Sequence, residues 1–464
     1  VIGCRLLGEV ISARRTLIVL SRTRLSNGVR VLCERMPGSK TVALGLWLDL
    51  GSRDELSREG GSAHFIEHML FKGTHRRDMF ELSRDVNRLG GHFNAFTTPE
   101  QMCLHATVIS RDIAPALDIL SEMLLDSVFP DEEIEHERGV ILEEIAETED
   151  QPEDYVEEMF CSAMWGDSPL GRPVLGNRDT VQAIARRELL EFWAKHFSPD
   201  RLVITVAGGF DRRTLMPILR RRFEGLAPSA PPAPARSAAV SSSPRVLSQE
   251  RPIEQIHFCI GFDGPGKATE DRYALWVLNT LYGGGMGSRL FNEIRERRGL
   301  AYSIWSSIQG FQDAGCLMIR GSANPGNLKE VVEIARDQMA DLFDRPPGRA
   351  EMDAAREQCI RSFLLSQESC NARMNRLGEL ELAGLEVRGP EEVVRTLEAL
   401  SPQSIKEVAR RWFMDKPEAV AMIGPLDGHV KWMESARSKS TPRDASAPCP
   451  PNRKKTAPKY AARR

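Results

Sequence analysis

Residues 60–73 read GGSAHFIEHMLFKG, which sets His64 and His68 four apart with Glu67 between them. On an α-helix, residues four apart lie on one face, so both imidazoles can reach a single ion and the Glu67 carboxylate stands close beside it. Two histidines and a carboxylate, with the fourth position left to water, form the donor pattern of a catalytic zinc ion, which lowers the pKa of its bound water to about 7. The competing reading is an ordinary amphipathic helix that carries two histidines. The decision rests on whether the chain supplies a third ligand.

Candidates for that ligand lie in FPDEEIEHERGVILEEIAETEDQPEDY, residues 129–155, where Pro130 with the acidic residues after it and Pro152 punctuate a helix. At about 3.6 residues per turn, Ile134, Ile141 and Ile145 form an apolar stripe. Glu137 and Glu144 project on the flank of that stripe, whereas Glu143 and Glu147 project to the opposite, solvated face. A carboxylate beside a buried stripe needs a partner. A metal ion would be one, and a glutamate-rich surface helix is the other reading.

Outward from this segment the chain repeats itself. TVALGLWLDLG opens one half and IEQIHFCIGFDG the other, and HFNAFTTPEQMCLHATVIS is answered by YSIWSSIQGFQDAGCLMIRGSA. RLVITVAGG and EAVAMIGPL stand near the two ends. Alternating strands followed by helical runs in each half predict an α+β protein of two homologous domains, each an antiparallel-rich sheet packed with helices. The expected division is an N-terminal extension at 1–20, a first domain at 21–228, a linker at 229–249, a second domain at 250–434 and a basic, disordered tail at 435–464. The linker expectation rests on its Pro, Ala and Ser content. Where the first repeat has SAHFIEHMLFKG the second has ALWVLNTLYGGGMGSRLF, without a histidine, so the metal site is expected in the first half alone.

Composition excludes several classes. The 464 residues are 41% hydrophobic and 27% charged, a balance ordinary for soluble globular proteins. A net charge of −3 gives no global field for nucleic acid, and no apolar run approaches the roughly 18 residues of a membrane span. The nine scattered cysteines, without C-x-x-C pairs, favour free thiols in a reducing compartment. The chain starts at Val1 with a segment that contains arginine and is nearly free of acid. That composition suits a transit peptide or a plain extension. The expected location is the bacterial cytoplasm, with the mitochondrial matrix or another targeted compartment as the alternative.

H-x-x-E-H is the inverzincin signature, and with its downstream glutamates the chain resembles the pitrilysin family of zinc peptidases, in particular the processing peptidases and their short bacterial relatives. The resemblance runs from about Ser21 to Lys431. It implies one Zn2+ per chain held by His64, His68 and Glu144, with Glu67 as general base and Glu137 as a supporting carboxylate. LGGHFNAFTTPEQ resembles the family's edge strand, to which an extended substrate adds through main-chain hydrogen bonds, and this implies Asn94, Ala95 and Phe96 as contacts. SRLFNEIRERRGLAYSIWSS resembles the segment whose arginine and tyrosine polarise the scissile carbonyl, implying Arg295 and Tyr302. Asp154 and Glu158 occupy places resembling those that receive an arginine near the cleavage point, and a solvated acidic face is the alternative there.

The implied activity is a zinc endopeptidase acting on peptides. Long members of the family join four such domains in one polypeptide, with zinc in the first and the arginine and tyrosine in the fourth. By that analogy a homodimer is expected, the alternative being a heterodimer with a motif-less homologue. The rival function is a non-catalytic structural subunit of the same fold, or a module that only binds peptides.

Overall fold

The computed structural model describes residues 19–227, 236 and 245–438. Strands β1 (Val19–Arg24), β2 (Arg30–Arg35), β3 (Thr41–Leu48), β4 (His92–Thr97), β5 (Met102–Ile109) and β6 (Leu202–Gly208) form one sheet in the order β1-β2-β6-β3-β5-β4. Strands β7 (Val246–Glu250), β8 (Ile256–Gly264), β9 (Ser303–Gly310), β10 (Gly315–Ala323) and β11 (Glu418–Gly424) form a second, in the order β7-β11-β8-β10-β9. In each sheet a single parallel pair, β2 with β6 and β7 with β11, accompanies otherwise antiparallel neighbours. The expected repeat is therefore present strand for strand, with β1 added to the first sheet. It makes β4 and β9 equivalent edges.

The strand sequences explain the packing. In β3, Val42, Leu44, Leu46 and Leu48 enter one core while Ala43 and Trp47 enter another, as alternation across a pleat requires. Both faces of the sheet are thus apolar and both must be covered. One face carries the first half's own helices, among them Ser62–Met69, Ile113–Leu125 and Asp131–Asp150. The other is covered by helix Cys370–Leu382 from the second half, through Cys370, Met374 and Leu377. Helix Pro152–Trp165 of the first half reciprocates, burying Val156, Phe160, Ala163 and Trp165 against Cys259, Cys316, Ala419 and Ala421 of the second sheet.

Polar contacts join the halves at the same seams. Arg373 Nη1 lies 2.5 Å from Glu34 Oε1 in a buried ion pair, and Gln312 donates its backbone N–H to Glu100 Oε1 at 2.8 Å. Element limits depart from the expected domain limits by a few residues. β1 includes Val19 and Leu20, β7 occupies the end of the expected linker, and helix His429–Ser438 runs past residue 434. β7 is drawn into the sheet by a parallel ladder with β11. The cysteines that lie among the described residues are free thiols, as expected. Among those residues no helix is long and apolar enough to cross a membrane. The N-terminal extension before Val19 and the tail after Ser438 lie outside the described residues.

Helix Cys370–Leu382 approaches β3 closely because residue 378 is glycine. A Cβ at Gly378 would come within 2.2 Å of Trp47, whose fully buried indole donates to Thr205 Oγ1 at 2.8 Å and has no room to move. Overpacking of this kind costs about 1–3 kcal/mol, more than the roughly 0.5–1 kcal/mol that alanine gains over glycine in a helix. Gly378→Ala is therefore expected to lower the urea midpoint of unfolding. A midpoint at or above the wild-type value would mean that this helix does not clamp the first sheet.

Candidate functional site

The histidine helix, Ser62–Met69, begins at Gly61 with φ of 92°, a left-handed conformation that glycine adopts freely. A Cβ there would also meet the Leu175 carbonyl at 2.7 Å. The helix start is capped from outside: Glu55 accepts the backbone N–H groups of Gly61 at 3.0 Å and Ala63 at 2.8 Å, satisfying donors that a helix N-terminus leaves open. Ala63, Phe65, Ile66 and Met69 are buried, so the helix has one orientation in which His64, Glu67 and His68 share the remaining face. That face is set against helix Asp131–Asp150, which buries Ile134, Glu137, Ile141 and Ile145.

Glu144 reaches between the two imidazoles. Its Oε2 lies 3.7 Å from His64 Nε2 and 3.7 Å from His68 Nε2, and the three ligand atoms lie within 4.8 Å of one another. A tetrahedral zinc about 2.0–2.2 Å from each ligand separates them by about 3.3–3.6 Å, so the two 3.7 Å contacts of Glu144 fit zinc with a small contraction. Glu137 Oε2 lies 2.9 Å from His68 Nδ1, which leaves Nε2 directed at the cluster. The other Glu137 oxygen, Oε1, lies 2.6 Å from Lys72 Nζ.

Electrostatics favour neutral imidazole on one ligand. Burial, reinforced by the charge of His68, pushes His64 down to about 3, so it stays uncharged and able to offer a lone pair at neutral pH. Burial raises the Glu67 carboxyl above its ordinary range, against the opposing influence of the Thr97 hydroxyl and His68. Burial would also raise Glu137, but hydrogen bonds from Lys72 and His68 outweigh it and hold the group below the ordinary value.

The expected substrate strand lies beside this cluster. Among the described residues β4 pairs with β5 alone, and it packs against the histidine helix. Asn94 is exposed, Ala95 buried and Phe96 half-buried, and the open edge of β4 runs past the site with the Ala95 N–H held by Asn94 Oδ1 at 2.9 Å. Arg295 and Tyr302 are brought to each other. The guanidinium of Arg295 lies 4.5 Å from the Tyr302 ring centre and donates to the Tyr302 carbonyl at 3.0 Å. Arg295 sits in a π-helical segment, Phe291–Glu296, and Gly299, with φ of 61°, ends the turn that follows it. The contacts described for this pair lie within the second half, and Tyr302 is 75% exposed.

Asp154 and Glu158 lie on helix Pro152–Trp165 in an acidic group that already holds one cation. Arg320 of β10 lies 3.8 Å from Glu153 and 3.9 Å from Asp154, pairs with Glu157, and stacks on Trp305 at 4.6 Å. Burial, then the charges of Glu149 and Asp154, push the Glu158 carboxyl up to about 7. Sequence reasoning passed over Glu55, Lys72 and Arg320. Lys72 was accessible, since it stands four residues after His68.

Comparison with known proteins places this geometry. Residues 30–178 match the model of Insulinase (Peptidase family M16), and residues 183–359 match that of the Peptidase M16 inactive domain. The chain belongs to peptidase family M16. The expected membership of the pitrilysin family of zinc metallopeptidases therefore holds. An uncharacterized zinc protease of Streptomyces coelicolor is 38% identical over 411 residues, covering 87% of this M16 chain and 89% of that protein. The crystal structure of a peptidase M16 inactive domain from Pseudomonas fluorescens superposes with a TM-score of 0.81 at 21% identity, covering 88% of this chain and 98% of that one. A chain of complex III2 from Candida albicans shares the fold with a TM-score of 0.77 at 17% identity, covering 91% and 100%.

The raised Glu158 carboxyl of this M16 chain gives a pH signature. Its folded value of about 7 lies above an ordinary carboxyl at 4.5, so between those limits the folded state holds the proton more tightly than the unfolded chain. The stability this contributes is present below about pH 4.5 and is lost as pH rises through 7. Glu158→Gln is expected to match wild type in unfolding free energy near pH 4 and to exceed it by about 1–2 kcal/mol at pH 8. Denaturant titrations at both values check this, and an equal difference at both would contradict it.

Proposed function

We propose that this M16 chain is a zinc-dependent endopeptidase that cleaves extended or unfolded peptides, including basic, presequence-like ones. The observation that carries the reading is the convergence of His64 Nε2, His68 Nε2 and Glu144 Oε2 beside Glu67 and the edge strand β4. Zinc held by those three side chains would polarise the scissile carbonyl and acidify a water in the open position. Glu67 takes the proton of the attacking water and passes it to the leaving amine. Glu137 orients His68 through Nδ1. The substrate backbone extends along β4 at Asn94, Ala95 and Phe96, where main-chain hydrogen bonds hold a stretched chain whatever its sequence. Asp154 and Glu158 would receive basic side chains of the substrate.

Two substitutions separate these roles. Glu67→Gln is expected to keep the zinc content of the wild type and to lose peptide turnover by roughly 10²- to 10⁴-fold. His64→Ala is expected to lose the metal itself, measured by elemental analysis after dialysis. Wild-type turnover by Glu67→Gln would remove Glu67 as the base.

Arg295 and Tyr302 would stabilise the oxyanion, supplied by a second copy of the chain across a two-fold axis. Their mutual contact in the second half, with the Tyr302 ring largely exposed, supports this reading. In such a dimer, mixing inactive Glu67→Gln with inactive Tyr302→Phe subunits gives pairs in which one site carries both lesions and the other none. Activity is then expected to return toward half the wild-type value per mixed dimer. Failure of exchanged subunits to regain activity would exclude the arrangement in trans. A non-catalytic subunit or a peptide-binding module is the second reading, favoured by the fold shared with the complex III2 chain. The Glu67→Gln experiment also decides against it if wild-type turnover is present and the variant loses it.

A further inference from the structure

We propose that Lys72 is a positioning residue of the metal centre, holding Glu137 so that His68 presents Nε2 to zinc. The inference rests on the zinc-site reading given above. Lys72 follows the histidine helix, and its backbone N–H donates to the Met69 carbonyl at 3.1 Å, which ties it to the last turn. Its Nζ lies 2.6 Å from Glu137 Oε1, while Glu137 Oε2 lies 2.9 Å from His68 Nδ1. One carboxylate therefore bridges lysine and ligand, with a separate oxygen for each. Two anchors on opposite oxygens fix the plane of the carboxylate, which a single hydrogen bond leaves free to rotate.

Burial makes the second anchor matter. The Glu137 side chain is only 4% exposed, so water is a poor substitute for a protein donor at Oε1. His136 Nδ1 also faces Oε1, at 3.5 Å, but its ring is 68% exposed and the separation is at the limit of a hydrogen bond. The charge count points the same way. Glu67, Glu137 and Glu144 bring three carboxylates to one small volume, a divalent ion leaves one negative charge over, and Lys72 offsets it. Groups that orient a ligating histidine through its second nitrogen are worth about 10–100-fold in metal affinity.

The test is zinc affinity of the purified full chain, measured by competition with a chromophoric chelator and independent of peptidase activity. Lys72→Met is expected to weaken zinc binding by about 10–100-fold with the unfolding midpoint little changed, and Lys72→Arg to restore most of it. Glu137→Gln is expected to weaken binding similarly, and adding Lys72→Met to it to cost less than about 2-fold more, because the lysine acts through that carboxylate. If Lys72→Met does not fold, Lys72→Gln takes its place. Wild-type affinity in either folded variant, or an undiminished effect in the Glu137→Gln background, overturns the proposal. His64→Ala separates the two readings: zinc affinity unaffected by that change removes the metal site itself, whereas loss with His64→Ala and none with Lys72→Met removes only the role of Lys72.

Discussion

Each sheet of this protein has two apolar faces, and the helices of one half cover only one of them. The remainder is met by exchange: Pro152–Trp165 crosses to the second sheet and Cys370–Leu382 crosses to the first. The crossing begins at Gln151 and Pro152, eight residues or fewer after Glu144, where proline ends one helix and starts the next. The helix that carries Glu137 and Glu144 is thereby held at both ends. Arg186 donates to the carbonyls of Val128 and Phe129 before its start, and Arg251 of the second half donates to the Glu149 carbonyl at 2.6 Å near its end. A carboxylate that must meet two imidazoles within tenths of an ångström needs such a mounting.

The histidine helix has the opposite problem. It is only eight residues long, too short to be stable alone, and its polar face gathers groups that burial disfavours. Its stability comes from the buried Phe65, Ile66 and Met69 and from the Glu55 carboxylate over its first N–H groups, while the Lys72–Glu137 pair lies beyond its last turn. The same contacts that keep the helix in place aim His64 and His68. Stability and ligand geometry are served by one set of atoms.

Much of this was legible in the sequence, and the rest was hidden for identifiable reasons. Period-two alternation gave the strands, the repeat gave two sheets of matching order, and the stripe of Ile134, Ile141 and Ile145 placed Glu137 and Glu144 on its flank and left Glu143 and Glu147 exposed. The exchange of helices was not legible, because an apolar stripe states that a helix is buried and not which sheet buries it. The π-helical turn around Arg295, closed by Arg297 donating to the Asn292 carbonyl five residues earlier, escaped because no side-chain period distinguishes it from an α-helical turn. Arg320 carries no signal of its own within its strand, because only the crossing helix brings Glu153, Asp154 and Glu157 to it.

The two halves began from one plan and have divided the chemistry. The position of the histidine helix is taken in the second half by Arg272–Tyr282, which buries Ala274, Leu275, Leu278 and Leu281 where the first half turns His64, Glu67 and His68 toward the opposing carboxylate helix. Filling that place with core removes the need to solvate or neutralise a buried polar cluster, and the freed edge keeps exposed aromatic residues, Tyr302 and Trp305, each under an arginine. Arg295 over the Tyr302 ring stays reachable from outside, whereas Arg320 over Trp305 is turned to the acidic helix Pro152–Trp165. One repeat therefore concentrates negative charge around two imidazoles, and the other sets arginines over aromatic rings, Arg295 from its π-helical segment and Arg320 from β10. Under the proposed peptidase mechanism a polarised carbonyl would draw on both, which would give a physical reason for two unlike copies of one fold to persist in a single chain.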